Sequence, residues 1–249
     1  MSYTAVATST TPVLIVYLLD ISGSMSQMLG DKRRVEIVSD ALQEIATEMV
    51  ARSTKGELVS PRYRLAIYAY ESQVHDVLGG IRTIDQFVRD GVPEFAPRGG
   101  THTAAAFLAA ENLLRQELPY MAGHPAPLIC HMTDGEYQGD DPTPIVQRIM
   151  EMGTDDGNVL VENIFISDRL LRNPVEDVYA WPGITSEAEL ANDYARTLLR
   201  MSSPIPDSYL SEMQEFGYSL QPNAPMMFPA QTKELIRMAF TMSGATPVA

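Results

Sequence analysis

The feature that most constrains the fold is an unbroken apolar run near the start of the chain, Val13–Leu19 (VLIVYLL). A short run rich in β-branched residues predicts a β-strand. Because it is continuously apolar, the strand is expected to be buried on both faces, as in a parallel sheet. The chain therefore begins like an α/β protein, in which helices cover both faces of the sheet.

Further strands alternate with helices along the chain. Strands are predicted over Arg62–Tyr70, Pro127–Thr133 and Val159–Ser167, and Ser72–Leu78 follows its predecessor closely enough to be an antiparallel edge. The alternation indicates a Rossmann-like, doubly wound, mostly parallel central sheet with helices on both faces, and not a barrel or a sandwich. The predicted helices are Arg33–Arg52, Ile84–Arg89, Thr103–Leu118, Pro144–Met152, Glu187–Met201, Asp207–Phe216 and Thr232–Met242.

The length and composition fit one domain. A chain of 249 residues with 45% hydrophobic residues can bury a single sizeable core. Residues 1–12 are small and polar and are predicted to form a flexible N-terminal arm before a single domain over 13–249. The part from about 170 to 229 is rich in proline and is expected to be an ordered elaboration of this domain. We expect it to expose Trp181 and to supply a surface that is specific for a partner.

The charge and the cysteine count limit the classes of partner and compartment. The formal net charge is −14, so the chain should repel nucleic acid and anionic membranes. Its single cysteine, Cys130, excludes an internal disulfide and fits a reducing cytosol. The apolar run at Val13–Leu19 is too short to cross a bilayer, and no basic segment precedes it. These features predict a cytoplasmic protein.

Small oxygen-bearing side chains occur in three separate loops. The first loop follows the first strand and carries Asp20, Ser22 and Ser24, and the others carry Thr101 and Asp134. Because residues that follow parallel strands meet at one edge of the sheet, the five side chains are expected to converge there. An oxygen-only set suits a hard cation, Mg²⁺ before Mn²⁺ or Ca²⁺. Taken singly, each motif is also an ordinary strand end, turn or helix cap.

Three stretches together resemble a known family, the von Willebrand factor A or integrin I-like domain. They are "DISGSM" from Asp20, "RGGTHTAAAF" around Thr101 and "MTDGE" around Asp134. The resemblance covers Val13–Ser167 and implies a metal-ion-dependent adhesion site. It implies that Ser22, Ser24 and Thr101 bind Mg²⁺ directly, that Asp20 and Asp134 act through water, and that a partner's aspartate or glutamate completes the shell.

The chain looks most similar to intracellular prokaryotic members of that family, the tellurite-resistance-associated and chaperone-ATPase-associated proteins. The resemblance therefore implies Mg²⁺-dependent binding of a protein partner through an acidic side chain. An AAA+ ATPase, a kinase or a phosphatase is the kind of partner it suggests.

Two other functions use the same cation: a metal-dependent phosphoesterase, and a structural subunit in which the metal only stabilises the fold. An enzyme is not expected. A haloacid-dehalogenase-type phosphatase needs an aspartate where Ser22 stands, and neither a Gly-x-Ser-x-Gly turn nor a phosphate-binding loop with lysine occurs at the first strand. His102 is expected to face solvent, His131 to pack in the core, and Cys130 to be buried and inert.

Overall fold

The computed structural model describes residues 3–56, 58–167 and 169–248, and all statements below concern these residues. The strands are β1 (Val13–Asp20), β2 (Met28–Leu29), β3 (Lys32–Arg33), β4 (Thr54–Lys55), β5 (Leu58–Val59), β6 (Tyr63–Tyr70), β7 (Val74–Asp76), β8 (Arg82–Thr83), β9 (Leu128–Thr133), β10 (Leu160–Phe165) and β11 (Met227–Pro229). The helices are α1 (Arg34–Ser53), α2 (Ile84–Asp90), α3 (Thr103–Glu117), α4 (Thr143–Glu151), α5 (Asp193–Arg200), α6 (Asp207–Glu215) and α7 (Lys233–Ser243).

The central sheet is mostly parallel, as predicted. Its order within the described residues is β11-β10-β9-β1-β6-β7, and β8 also pairs with β6. The first five strands of that order run parallel to one another, whereas β7 and β8 run antiparallel to β6. Every residue of β1 is buried, which accounts for its continuous apolar sequence. The doubly wound α/β fold is therefore confirmed.

The side chains of β1 divide the core into two layers. Ile15, Tyr17 and Leu19 belong to the layer that contains the buried faces of α1 and α7. Leu14, Val16 and Leu18 belong to the layer that contains the buried faces of α3 and α4. This alternation follows from the two-residue period of a strand. Both faces of β1 are thus covered by helices, so its carboxyl end is the part left to form a site.

The predicted helix over Glu187–Met201 is wrong in its first half. Residues Glu187–Glu189 form a 3₁₀ turn, and α5 begins only at Asp193. The Asn192 side chain accepts a hydrogen bond from the Ala195 amide at 2.8 Å, which caps the helix at this point. Leu190 leaves the helical path, is fully buried and forms a β-bridge with Leu171.

The part from 170 to 229 contains α5, α6 and β11, and it does not expose its tryptophan, contrary to the prediction. Trp181 is only 8% exposed, and its ring meets Phe228 edge-on with 6.2 Å between ring centroids. Phe228 lies in β11, an edge strand that pairs in parallel with β10. No strand was predicted there because β11 has three residues and ends in Pro229. This part of the chain therefore contributes to the sheet and to the core.

Residues of the predicted N-terminal arm contact the domain. Ala7 is fully buried and forms a bridge with Val248. The Thr4 and Ala5 amides donate to Asp156 Oδ1 at 2.8 and 2.9 Å. The division of the chain into an arm and one domain remains a prediction. As for membranes, the helices within the described ranges all lack the combination of length and apolar character that a bilayer span requires.

Candidate metal centre

Three loops meet at the carboxyl end of β1. Asp20 is the last residue of β1, and Ser22 and Ser24 lie in the turn that follows, which is a 3₁₀ helix from Gly23. Asp134 follows β9, the neighbour of β1 in the sheet. Thr101 lies two residues before α3. The structure thus places the predicted residues on loops at one edge of the sheet.

Side-chain hydrogen bonds connect four of the five predicted residues. Asp20 Oδ1 accepts from the Ser22 amide at 2.8 Å. The Ser22 and Ser24 hydroxyls are 3.0 Å apart, and Ser24 Oγ donates to Asp134 Oδ1 at 2.6 Å. Two carboxylates that are 114 residues apart in sequence are therefore linked through two serines.

Thr101 is held beside this group by its backbone. Its carbonyl accepts from the Gln138 amide at 2.8 Å, which ties its loop to the loop after β9. The carbonyl of Gly99, two residues before Thr101, accepts from the Gly23 amide at 3.2 Å, which ties the same loop to the turn that carries the serines. Thr101 itself is buried. Among the described residues, the Thr101 hydroxyl makes no hydrogen bond with the other four predicted residues.

The loop that carries Thr101 packs closely against the Glu71 and Ser72 side chains, and this requires glycine at position 99. Gly99 has φ of +68°, a conformation that other residues rarely adopt. A Cβ atom here would also collide with the Glu71 carboxylate and the Ser72 hydroxyl. The Glu71 carbonyl in turn accepts from the His102 amide at 2.9 Å, so both sides of Thr101 are fixed. A hydrogen bond with His75 is the largest of the interactions that lower the pKa of Glu71 to about 2.

Burial makes the charge of Asp20 costly. The pKa of Asp20 is raised to about 6, mainly by removal from water, and the nearby Asp134 charge adds to the rise. Hydrogen bonds from Thr133 and Ser22 oppose it, and the Thr133 hydroxyl lies 2.7 Å from Asp20 Oδ2. A bound cation would favour the ionised form of Asp20 for the same electrostatic reason that Asp134 disfavours it.

A residue that the sequence did not single out, Arg34, also contacts the group. Arg34 Nη1 donates to Asp134 Oδ2 at 2.7 Å, and the Asp134 side chain is fully buried. Arg34 is the first residue of α1. Positive charge is disfavoured at the N-terminus of a helix because the helix dipole is positive there. A basic residue at this position is the one sequence signal that could have drawn attention to Arg34, although it does not identify Asp134 as the partner.

The donor set fits a hard cation. The described residues contain no group of three or more histidines, cysteines, aspartates and glutamates that could hold a metal. The oxygens at the carboxyl end of β1 come instead from two buried carboxylates and three hydroxyls, the chemistry that suits Mg²⁺ or Ca²⁺. Arg34 neutralises one of the two carboxylates, so about one negative charge is left for a cation to offset.

His102, Cys130 and His131, which lie near these loops, have the exposure that the sequence predicts. His102 is exposed, and Cys130 is fully buried, with a thiol pKa well above its usual value because of burial. His131 is fully buried between Tyr70, whose hydroxyl is 2.7 Å from Nε2, and Asn163, whose Oδ1 is 2.8 Å from Nδ1. Burial lowers the pKa of His131 to about 4, so the ring is neutral at physiological pH.

Comparison with known proteins agrees with this fold. Residues 15–136 match the von Willebrand factor type A domain family. Comparison with curated protein sequences gives no match. The structure resembles the SpRpn10 VWA domain (TM-score 0.54, 12% identity, 96% of this chain and 99% of that chain). It also resembles BatB of Bacteroides thetaiotaomicron (TM-score 0.54, 15% identity, 93% and 98%).

The pilus adhesin SpaC of Lactobacillus rhamnosus GG has a similar structure (TM-score 0.60, 11% identity, 93% of this chain and 30% of that chain). The chain spans less than two thirds of the pilus proteins it resembles: 30% of SpaC and 60% of the PilB minor pilin of Streptococcus sanguinis. At such identities the likeness concerns the fold alone. The family match over residues 15–136 and the structural likeness together show that this chain has the fold of von Willebrand factor type A domains.

Proposed function

We propose that this protein is a Mg²⁺-dependent interaction module that binds an acidic side chain of a protein partner. Domains of the von Willebrand factor A type are commonly protein-interaction modules. The observation that carries the proposal is the hydrogen-bonded group of Asp20, Ser22, Ser24 and Asp134, with Thr101 beside it. These residues supply oxygen atoms from three loops at one point on the sheet edge.

Each residue has a distinct part in this proposal. The hydroxyls of Ser22, Ser24 and Thr101 would hold the cation, and the carboxylates of Asp20 and Asp134 would balance its charge from behind them. When bound, Mg²⁺ supplies a positive centre with room for an outside carboxylate. Because hydroxyls are neutral ligands, little of that positive charge is neutralised on the side facing the partner. Mn²⁺ or Ca²⁺ could take the same place.

Hydrolysis is a weaker interpretation of the same residues. Metal hydrolases usually use carboxylate or histidine ligands to generate hydroxide from bound water. The nearby groups best suited to acid–base or nucleophilic chemistry, His131 and Cys130, are fully buried in β9. One relative of the same fold, SpaC, is described as an adhesin. A non-enzymatic binding role is therefore the function we favour.

The partner and the compartment are proposed on the resemblance described above. We propose a cytoplasmic partner, an AAA+ ATPase, a kinase or a phosphatase, that presents an aspartate or glutamate. The net charge of −14 favours a partner with few other negative charges around that residue.

Titration calorimetry on chelator-treated protein tests the proposal. Wild type should bind Mg²⁺ and Mn²⁺ at one site, and a peptide with a single glutamate should bind only when the metal is present. Asp20→Ala should abolish binding of both metal and peptide because it removes a buried charge beside the cation. Thr101→Ala should weaken the peptide more than the metal because it removes one neutral ligand.

Asp90→Ala is the matched control, because Asp90 is an exposed aspartate at the end of α2. Its metal binding should equal that of wild type, and circular dichroism should report the same fold for all variants. Peptide binding that persists in chelator would separate the interface from the metal and leave only a stabilising role. Hydrolysis of a phosphoester that disappears in Asp20→Ala would replace the proposal with a phosphoesterase.

A further inference from the structure

Arg34 occupies a special place beside the metal centre. Asp134 uses one carboxylate oxygen to accept from Ser24 at 2.6 Å and the other to accept from Arg34 at 2.7 Å. The Asp134 side chain is fully buried, whereas that of Arg34 is 17% exposed. Arg34 thus reaches from near the surface to a carboxylate that would otherwise be a buried charge without a counter-ion.

The guanidinium is incompletely satisfied in this position. Arg34 Nε is buried and has no hydrogen-bond partner among the described residues. A buried donor on a charged group without an acceptor costs free energy. Arginine frequently binds carboxylates through two parallel hydrogen bonds, but only Nη1 donates to Asp134 here. The contact therefore balances the charge of Asp134 without fixing the whole guanidinium.

From these two observations we propose that Arg34 is a displaceable internal counter-ion of Asp134 that competes with the divalent metal. This inference rests on the proposed function. In the metal-free state the guanidinium neutralises Asp134, and a divalent cation must share that carboxylate with Arg34 or displace the arginine. The centre consequently binds metal more weakly than its five oxygen groups alone would allow. When no metal is bound, the Arg34 guanidinium neutralises the charge of the buried Asp134 carboxylate.

The neighbouring residue Arg33 provides a matched control. Arg33 is exposed and forms its ion pair with Glu36 at 2.7 Å, on the helix surface. The two arginines are adjacent in sequence, and replacing either one by glutamine changes the net charge by the same amount. A general effect of protein charge would appear in both variants, whereas competition for Asp134 would appear only in Arg34→Gln. Arg34→Lys retains the charge but loses the planar fork.

The test measures Mg²⁺ and Mn²⁺ affinity by calorimetry and thermal unfolding with chelator and with saturating Mg²⁺. Arg34→Gln should bind Mg²⁺ about tenfold more tightly than wild type, within the usual range of coupling between two ligands. Arg33→Gln should change the affinity by less than about twofold because salt screens exposed charge. Arg34→Lys should lie between wild type and Arg34→Gln.

Thermal unfolding gives an independent readout. In chelator, Arg34→Gln should melt below wild type, and saturating Mg²⁺ should narrow that difference because the cation replaces the lost positive charge. Equal or weaker Mg²⁺ binding by Arg34→Gln, or an equal gain in Arg33→Gln, would overturn the inference and leave the proposed function intact. Failure of wild type and Arg34→Gln alike to bind metal would overturn both. Binding by Arg34→Gln alone would support competition and refute Mg²⁺ dependence in the native protein.

Discussion

Thr133 shows how a residue outside the predicted ligand set can position a carboxylate of the candidate metal centre. It ends β9 and is fully buried, and its hydroxyl donates to Asp20 Oδ2 at 2.7 Å. This hydrogen bond fixes the carboxylate oxygen that Ser22 does not contact. It also helps Asp20 to remain ionised against the effect of burial. Thr133 would therefore act on a bound cation through Asp20.

We predict that Thr133→Val weakens Mg²⁺ binding about tenfold or more, the usual cost of losing a group that orients a metal ligand. Valine has nearly the same shape but cannot donate to Asp20. The measurement is calorimetry on chelator-treated protein, with circular dichroism to verify the fold. Thr241→Val, buried in α7 away from the metal centre, is the control for burying a valine. Unchanged affinity in Thr133→Val would show that Asp20 is oriented without this bond.

The predicted residues differ in how much the sequence alone could reveal. Asp20, Ser22 and Ser24 follow one strand closely, so their proximity was predictable from local sequence. Their contact with Asp134 was predictable once β1 and β9 were placed in a parallel sheet, because both strands end at the same edge. The ion pair of Arg34 with Asp134 was not, since it depends on the direction in which α1 leaves the hairpin of β2 and β3. Thr133 was predicted only as the last residue of a strand, and its hydrogen bond with Asp20 was not predicted.

At the level of elements, an ion pair joins the two helices that cover one face of the sheet. Glu111 on α3 accepts from Arg148 on α4 at 2.7 and 3.0 Å, and from Arg115 at 2.6 Å. The Glu111 side chain is almost fully buried, whereas both arginines are about half exposed. The hydrogen bond with Arg148 is the largest of the interactions that lower the pKa of Glu111 to about 2.

We predict that Glu111→Gln lowers the free energy of unfolding by about 1–2 kcal/mol at neutral pH. This lies between the usual contribution of a hydrogen bond to a buried charged group and that of an exposed ion pair. Because the folded pKa lies below the ordinary value of 4.5, the ion pair stabilises above about pH 4.5. Its contribution is lost as the pH falls from there toward 2. Urea unfolding at several pH values should show wild type and Glu111→Gln converging in acid.

Glu151→Gln is the control, since Glu151 is exposed at the end of α4. It should leave the unfolding free energy nearly unchanged at every pH. A loss in Glu111→Gln that is the same in acid as at neutral pH would mean that packing, and not charge, explains the effect.

Helices and strands whose apolar residues recur at a regular spacing were predicted correctly. Elements whose formation depends on tertiary contacts were not predicted. The periodic apolar residues of α1, α3 and α7 gave these helices to within about two residues at either end. The break before α5 depends on the Asn192 cap and on the bridge between Leu171 and Leu190, which bring two distant segments together. β11 is short and becomes a strand only because β10 supplies a partner. Propensity alone gives no signal in such cases.

At the level of the whole molecule, the C-terminal part is integrated with the core. The family match ends at residue 136, yet β10 and β11 complete the sheet beyond it. Buried side chains of the part from 170 to 229 belong to the same apolar layer as α1 and α7; they include Leu170, Trp181, Leu198, Met213 and Phe228. Removing this part would therefore remove core and sheet together. Its proposed role as a partner-specific surface is better tested by single changes at exposed positions such as Tyr179.

We predict that the chain unfolds as one cooperative unit. Trp181, the only tryptophan, lies in the C-terminal part, whereas far-UV circular dichroism reports the helices of the entire chain. The urea midpoints from tryptophan fluorescence and from circular dichroism should coincide. A version that ends at residue 169 should show no cooperative transition because it lacks β11 and the buried residues around it. Two separated midpoints in the full chain would divide it into independent units.

The short outer strands of the sheet, β7 and β8 at one edge and β11 at the other, have a consequence for self-association. β7 has only three residues and ends in Asp76, and β11 has three residues, all buried, and ends in Pro229. Proline cannot donate to a neighbouring strand, and short or charged edges discourage pairing with another chain. Within the described residues, neither edge offers a long row of free peptide groups. Concentrated solutions of the folded protein should therefore resist fibril growth by strand addition.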